Sequence, residues 1–134
     1  MSEKTHHPDT KQTLVRRLLV VGTVGWAAVI FTASSIPGSG VPSGFGSVAH
    51  YVEYAVFGAL LRLLLATTPV HPEPTLTATA MASAYGVTDE VHQAFVPMRT
   101  PDPIDWVVDT LGALSGAWLA AVALRSVSAR RKRQ

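Results

Sequence analysis

The side chains able to do acid–base or metal chemistry fall into three short stretches of the 134-residue chain. The first holds His50 and Glu53, the second Asp89, Glu90, His92 and Gln93, and the third, after a proline-punctuated loop carrying Arg99, holds Asp105 and Asp109. His50 with Glu53, and Asp89 with His92, are i, i+3 pairs, so one helical face can present both groups of each pair. A carboxylate beside an imidazole can take and return a proton, which makes His50, Glu53, Asp89 and Glu90 the candidate catalytic groups. Paired ligands on facing helices also build metal sites in bundles. On that reading His50, Glu53, Asp89 and His92 would hold a divalent metal of the zinc or manganese kind, with Asp109 as a further oxygen donor. The plainer reading is that the same pairs only fix helix register, and no cofactor is certain. Gln93, Arg99, Asp105 and Asp109 are candidate ligand-binding groups. A guanidinium such as Arg99 can grip a phosphate or carboxylate through two parallel hydrogen bonds; paired with Asp102 or Asp105 it would instead close its own loop.

Other chemistries are excluded by residue type. With no cysteine the chain has no thiolate nucleophile, disulfide or Cys-based zinc site. Ser83 and Thr88 have no activating base at fixed spacing, and His6 and His7 lie in a polar tail. The pI near 9.3 suggests nucleic acid until the cations are located. Lys4, Lys11, Arg16 and Arg17 precede the first apolar run, and Arg125, Arg130, Arg131, Lys132 and Arg133 follow the last. Arg62 and Arg99 alone remain between them, which is no basic groove, so nucleic acid is not an expected partner.

The elements that must position these groups are apolar. Hydrophobic residues make up 48% and charged residues 15%, against about 25% charged in a soluble domain. Four segments stand out, at about 18–34, 48–66, 75–96 and 104–124. Each is roughly as long as a helix needs to be to cross about 30 Å of hydrocarbon, and lipid leaves bare backbone no partner except in a helix. Pro37, Pro42, Pro69, Pro72, Pro74, Pro97, Pro101 and Pro103 punctuate the boundaries. The first and last segments pass a strict hydropathy test; the second and third carry the polar residues, which leaves a soluble bundle tethered by one or two anchors as the alternative. Alanines 78, 80, 82 and 84 with Gly86, and the Gly112–Gly116 step, suit close helix packing in lipid. The apolar run at the N-terminus is longer than a signal-peptide core and lacks a clear cleavage site, so it reads as a retained span.

The expected fold is therefore all-α, an integral membrane bundle of four transmembrane helices. Its parts are a polar tail (1–13), a membrane domain (14–125) and a basic tail (126–134) that suits anionic lipid. Cations cluster toward one side, counting Arg62 as snorkelling there, which places both termini in the cytoplasm by the positive-inside rule. His50 and Glu53 then enter from outside, Asp89 to Gln93 leave there, and Asp105 and Asp109 re-enter. Three helices bring their ionisable groups to one outer level, where an intramembrane charge should face the bundle interior or a wet cavity. Glu53, Asp89, Glu90, Asp102, Asp105 and Asp109 face Arg99 alone. So many carboxylates in a low-dielectric site cannot all ionise unpaired, so protons or a cation must join them. Trp106 and Tyr51 are expected at the headgroup level as interfacial anchors.

The string Asp89-Glu90-Val91-His92-Gln93-Ala94-Phe95-Val96-Pro97-Met98-Arg99, with Asp105, Gly112 and Gly116 beyond it, resembles the VanZ-like family of small bacterial membrane proteins, named for a teicoplanin-resistance protein. His50, Tyr54, Gly58 and Leu60 match that family's earlier motif, with Phe57 at a Leu position. Asp109 stands where the family usually has Asn, Ser47 where many members have Lys, and Met98 where Gly is common. The resemblance implies a multi-pass protein of the bacterial cytoplasmic membrane, linked in some members to glycopeptide resistance, and it supplies no reaction.

The residues and the resemblance together leave three classes of function. The leading one is an outward-facing acidic pocket that binds or modifies a lipid-linked or headgroup ligand, with membrane lipids, a lipid-linked envelope precursor or a glycopeptide as partners. The second is a non-enzymatic protein that binds a partner or lipid and alters antibiotic access, its polar cluster serving helix packing. An ion-coupled transporter would need ionisable groups through the inner half as well, where Arg62 stands alone.

Overall fold

The computed structural model describes residues 10–38, 46–68 and 73–133. Pro42, Pro69 and Pro72, together with the tail carrying His6 and His7, lie outside the described residues. Among the described residues the regular structure is all helical: α1 (Thr10–Ser34), α2 (Gly46–Leu65), α3 (Pro74–Gln93) and α4 (Pro103–Arg131). The helices outrun the apolar segments at two places. α1 begins at Thr10 rather than near Leu18, and α4 continues through the basic stretch to Arg131. Lys, Arg and Ala are good helix formers, and a polar helical turn needs no apolar face to persist once nucleated. α3 instead stops at Gln93, short of the apolar segment's end, and the chain turns through Ala94–Val96 ahead of Pro97.

Helices α1, α2 and α4 are long and apolar enough to cross a membrane. α3 equals α2 in length, at 20 residues, but Thr, Ser and three ionisable side chains lower its hydropathy. Large apolar side chains cover the outer surface, among them Leu18, Val21, Val24, Leu111, Trp118 and Leu119. Such a surface in water would be an aggregation site; in acyl chains it is solvated. The chain is a membrane protein.

Specific contacts fix the topology. Trp26 Nε1 donates to the Glu53 carbonyl at 2.8 Å, while Gly22 lies near Leu60, so α1 and α2 are antiparallel. Ser83 meets Thr110 and Glu90 meets the Asp102 amide, so α3 and α4 are antiparallel. Tyr85 Oη donates to the Ala27 carbonyl at 2.8 Å and His92 meets Ser35, so α1 and α3 are parallel. The result is an up-down-up-down bundle. The ends of α1 and α3 share one level with the starts of α2 and α4.

The parallel pair α2 and α4 makes the closest seam. A Cβ on Gly112 would strike the Tyr51 carbonyl, one on Gly116 the Ala55 carbonyl, and one on Gly58 the Ala113 carbonyl. These three positions carry no side chain because backbone fills the space, the small-residue packing that replaces hydrophobic drive within lipid. Below the polar end the core is apolar: Ile30, Tyr54, Phe57 and Leu61, closed by Ala78, Ala82, Ala113 and Ala117.

Candidate functional site

The site is assembled by three helix ends. α4 starts at Pro103, whose missing N–H costs nothing in the first turn. The Asp102 side chain caps it, accepting from the Ile104 amide at 2.8 Å. In an ordinary capping box the acid three residues on would reach back to the Asp102 amide. That residue is Asp105, and it instead accepts a 3.0 Å bond from Ser47 Oγ at the start of α2. The Asp102 amide donates across the hairpin to Glu90 Oε2 at 2.7 Å. Glu90 thus completes the cap of α4 from the end of α3.

One turn deeper, His50 Nδ1 lies 2.9 Å from Asp109 Oδ1, an imidazole–carboxylate contact between α2 and α4. Gln93 Nε2 donates to Asp89 Oδ2 at 3.2 Å within α3. Exposure is 5% for His50, 3% for Asp89, 9% for Glu90, 2% for Gln93 and 0% for Asp109, so the group is sealed from solvent. His50, Asp89, Glu90 and Asp109 each offer one potential ligand atom, and these atoms all lie within 4.8 Å of one another. A buried His/Asp/Glu group able to hold a metal is therefore present.

Not every residue singled out in the sequence joins it. Glu53 is half-buried, and its backbone carbonyl rather than its carboxylate is the acceptor for Trp26. His92 turns toward α1, where its ring stacks on Phe31 at 4.3 Å and Nε2 lies 3.0 Å from Ser35 Oγ. Among His/Asp/Glu groups the structure thus gathers His50, Asp89 and Asp109, as expected from the sequence, with Glu90 added, and leaves out the Glu53 and His92 expected from i, i+3 pairing. The reason is angular. Residues advance about 100° each around a helix, so Glu90 and His92 point to nearly opposite sides of α3. Asp105 sits at the rim, bound to Ser47. Arg99 is half-buried in the α3–α4 hairpin, its Nε shielded without a hydrogen-bond partner, and it forms no ion pair among the described residues.

Two further residues shape the site. Tyr54, fully buried one turn below His50, has a hydroxyl without a partner. Its place on the His50 face was legible in the sequence; its unsatisfied hydroxyl was not. Gly86 was read only as a small packing residue. A Cβ there would come to 3.2 Å from Asp109 Oδ2, so this glycine keeps room beside the carboxylate. Trp106 turns its indole back onto α3, donating to the Ser83 carbonyl at 3.2 Å and to its Oγ at 3.1 Å, and Tyr51 Oη donates to Ser115 Oγ at 2.9 Å. Both rings tie helices together at their polar tips.

Met98, at the hairpin turn, takes φ 59°, the left-handed region that favours glycine. Its neighbour Pro97 accepts a 3.2 Å bond from the Gly38 amide, which fastens the segment after α1 to the hairpin.

A family model described as VanZ/LLP1 matches residues 3–124. No curated protein and no solved structure matches the chain.

Proposed function

The chain belongs to the VanZ/LLP1 family, and from that premise we propose that it is a multi-pass protein of a bacterial cytoplasmic membrane which binds an anionic headgroup or lipid-linked ligand at its acidic end. Both termini lie on the cytoplasmic side, as the lysines and arginines near the opposite end favour, and the acidic end faces outward. The observation that carries the reading is Arg99. It stands half-buried in the α3–α4 hairpin, at the acidic end of the bundle, with Nε shielded and unpartnered, and it forms no ion pair among the described residues. An unpaired cation held at the rim of a membrane bundle is placed to receive a phosphate or carboxylate from outside the chain. Asp105, half-buried at the rim, is the acidic group that meets such a ligand first, while Gln93, Asp109, His50, Asp89 and Glu90 lie sealed beneath it and would take part only if the cluster opens to the ligand. Teicoplanin resistance is the phenotype this reading connects to.

The cluster's own bonds favour a second reading. Glu90 to the α4 cap, Gln93 to Asp89 and His50 to Asp109 all lock helices together, as a packing role in a non-enzymatic partner protein requires. One experiment separates the two. The chain and its Arg99→Ala variant are expressed at equal membrane levels in a susceptible bacterium, teicoplanin susceptibility is measured, and each protein is purified in mild detergent for native mass spectrometry. The wild type is expected to lower susceptibility and retain an anionic lipid that Arg99→Ala loses, with thermal stability unchanged. If susceptibility and bound lipid are the same for both, the ligand reading fails and packing remains.

A further inference from the structure

Each carboxylate of the buried cluster divides its two oxygens in the same way. Asp109 gives Oδ1 to His50, Asp89 gives Oδ2 to Gln93, and Glu90 gives Oε2 to the Asp102 amide. The remaining oxygens, Asp109 Oδ2, Asp89 Oδ1 and Glu90 Oε1, are buried with no hydrogen-bond partner. A buried polar atom left unsatisfied is costly, and a carboxylate oxygen more so. Three of them, on side chains at least nine-tenths buried that come together with His50, would be satisfied at once by a common positive partner.

We infer that His50, Asp89, Glu90 and Asp109 bind a divalent cation of the Mn²⁺ or Zn²⁺ class. Three carboxylates and one imidazole form an oxygen-rich set that such ions accept, while the absence of sulfur disfavours Cu(I). With the imidazole neutral the four groups carry three negative charges, and a dication leaves one; among the described residues no Lys or Arg forms an ion pair with them. The outer contacts of two ligands match those of metal sites, where ligating carboxylates are commonly held by a second hydrogen bond: Gln93 holds Asp89 and the Asp102 amide holds Glu90, while the 2.9 Å His50–Asp109 contact brings the other two ligands side by side. Gly86 leaves the free oxygen of Asp109 uncrowded, and the unpartnered hydroxyl of Tyr54 is available to a carboxylate or to water on the ion. The inference concerns side chains sealed inside the bundle and holds whether or not Arg99 receives a headgroup.

The test uses the full chain purified in mild detergent, stripped with EDTA and reloaded with Mn²⁺ alone or Zn²⁺ alone. Mass spectrometric metal analysis is expected to find one ion per chain, electron paramagnetic resonance to show loss of the free Mn²⁺ signal, and the unfolding temperature to rise on reloading. Asp89→Asn removes one charged donor and is expected to weaken Mn²⁺ binding at least about tenfold. Gly86→Ala keeps every ligand but presses on Asp109 Oδ2, and is also expected to weaken binding. Substoichiometric uptake of both ions by the wild type, with the same unfolding temperature in EDTA and in metal, overturns the inference. So does binding of equal strength in the wild type and both variants. Neither result depends on lipid retention or antibiotic susceptibility, so the headgroup reading stands or falls separately.

Discussion

Where α2 and α4 begin, the bundle takes Asp89, Glu90 and Asp109 out of solvent and binds them to an imidazole, an amide side chain and a helix cap. At the opposite end, Arg125, Arg130 and Arg131 on the last turns of α4, and Lys132 just after it, all stay exposed. Arg62 is the exception there, half-buried with Nε donating to Thr75 Oγ1 at 3.2 Å, beside a cavity of about 370 Å³ that Arg125 and Lys132 also line. The difference is one of reach. Lys and Arg can lay a long stem along apolar surface and put the charge in water. An Asp one methylene from the backbone has no such exit. A carboxylate kept in this position must be held by partners, and those partners are what make the acidic end a candidate site.

The contrast can be broken most severely at Asp109. Asp109→Ala strands His50 inside the bundle, and loss of one member of a buried pair costs about 3–5 kcal/mol. The variant should therefore show a markedly lower midpoint in detergent-titrated unfolding. A milder effect is expected from Glu90→Gln, which keeps an acceptor for the Asp102 amide but gives up the charge. Charge-assisted bonds are about twice as strong as neutral ones, so the loss should be about 1 kcal/mol, visible as faster amide exchange in the first turn of α4. At the basic end, Arg125→Gln should change stability by less than about 0.5 kcal/mol while weakening cosedimentation with vesicles containing phosphatidylglycerol. A stability loss for Arg125→Gln as large as that for Asp109→Ala would erase the distinction.

The architecture was legible because it rests on period and length. Apolar runs of membrane-crossing length, bounded by prolines, announce four helices, and their alternation brings His50, Asp89, Glu90 and Asp109 to one end. Direction around the helix was harder to read. Asp89 and His92 share a face in outline, but which neighbour each meets depends on where α1 and α4 pack, and His92 goes to Phe31 and Ser35. The role of Glu90 in capping α4 was hidden for a related reason, since Asp105 occupies the position from which a local capping box would be closed and is drawn to Ser47 instead. Met98 illustrates a signal visible only by comparison with the family pattern. The resemblance implies glycine as a common residue at that position, and the backbone there adopts a positive φ.

The glycine-lined seam joins two helices that are not neighbours along the chain, and this bears on how the protein is made. Tyr51 and Gly112, or Ala55 and Gly116, lie about sixty residues apart, a separation whose closure is slow compared with local pairing. During synthesis α2 is released long before α4 emerges, and α3 must be threaded back between the two events. Until then His50 has no Asp109 to meet. Its imidazole is matched only by the last helix, and a ribosome-bound fragment ending before Pro103 would retain the partners of Asp89 and Glu90 yet carry His50 into the bilayer without its carboxylate.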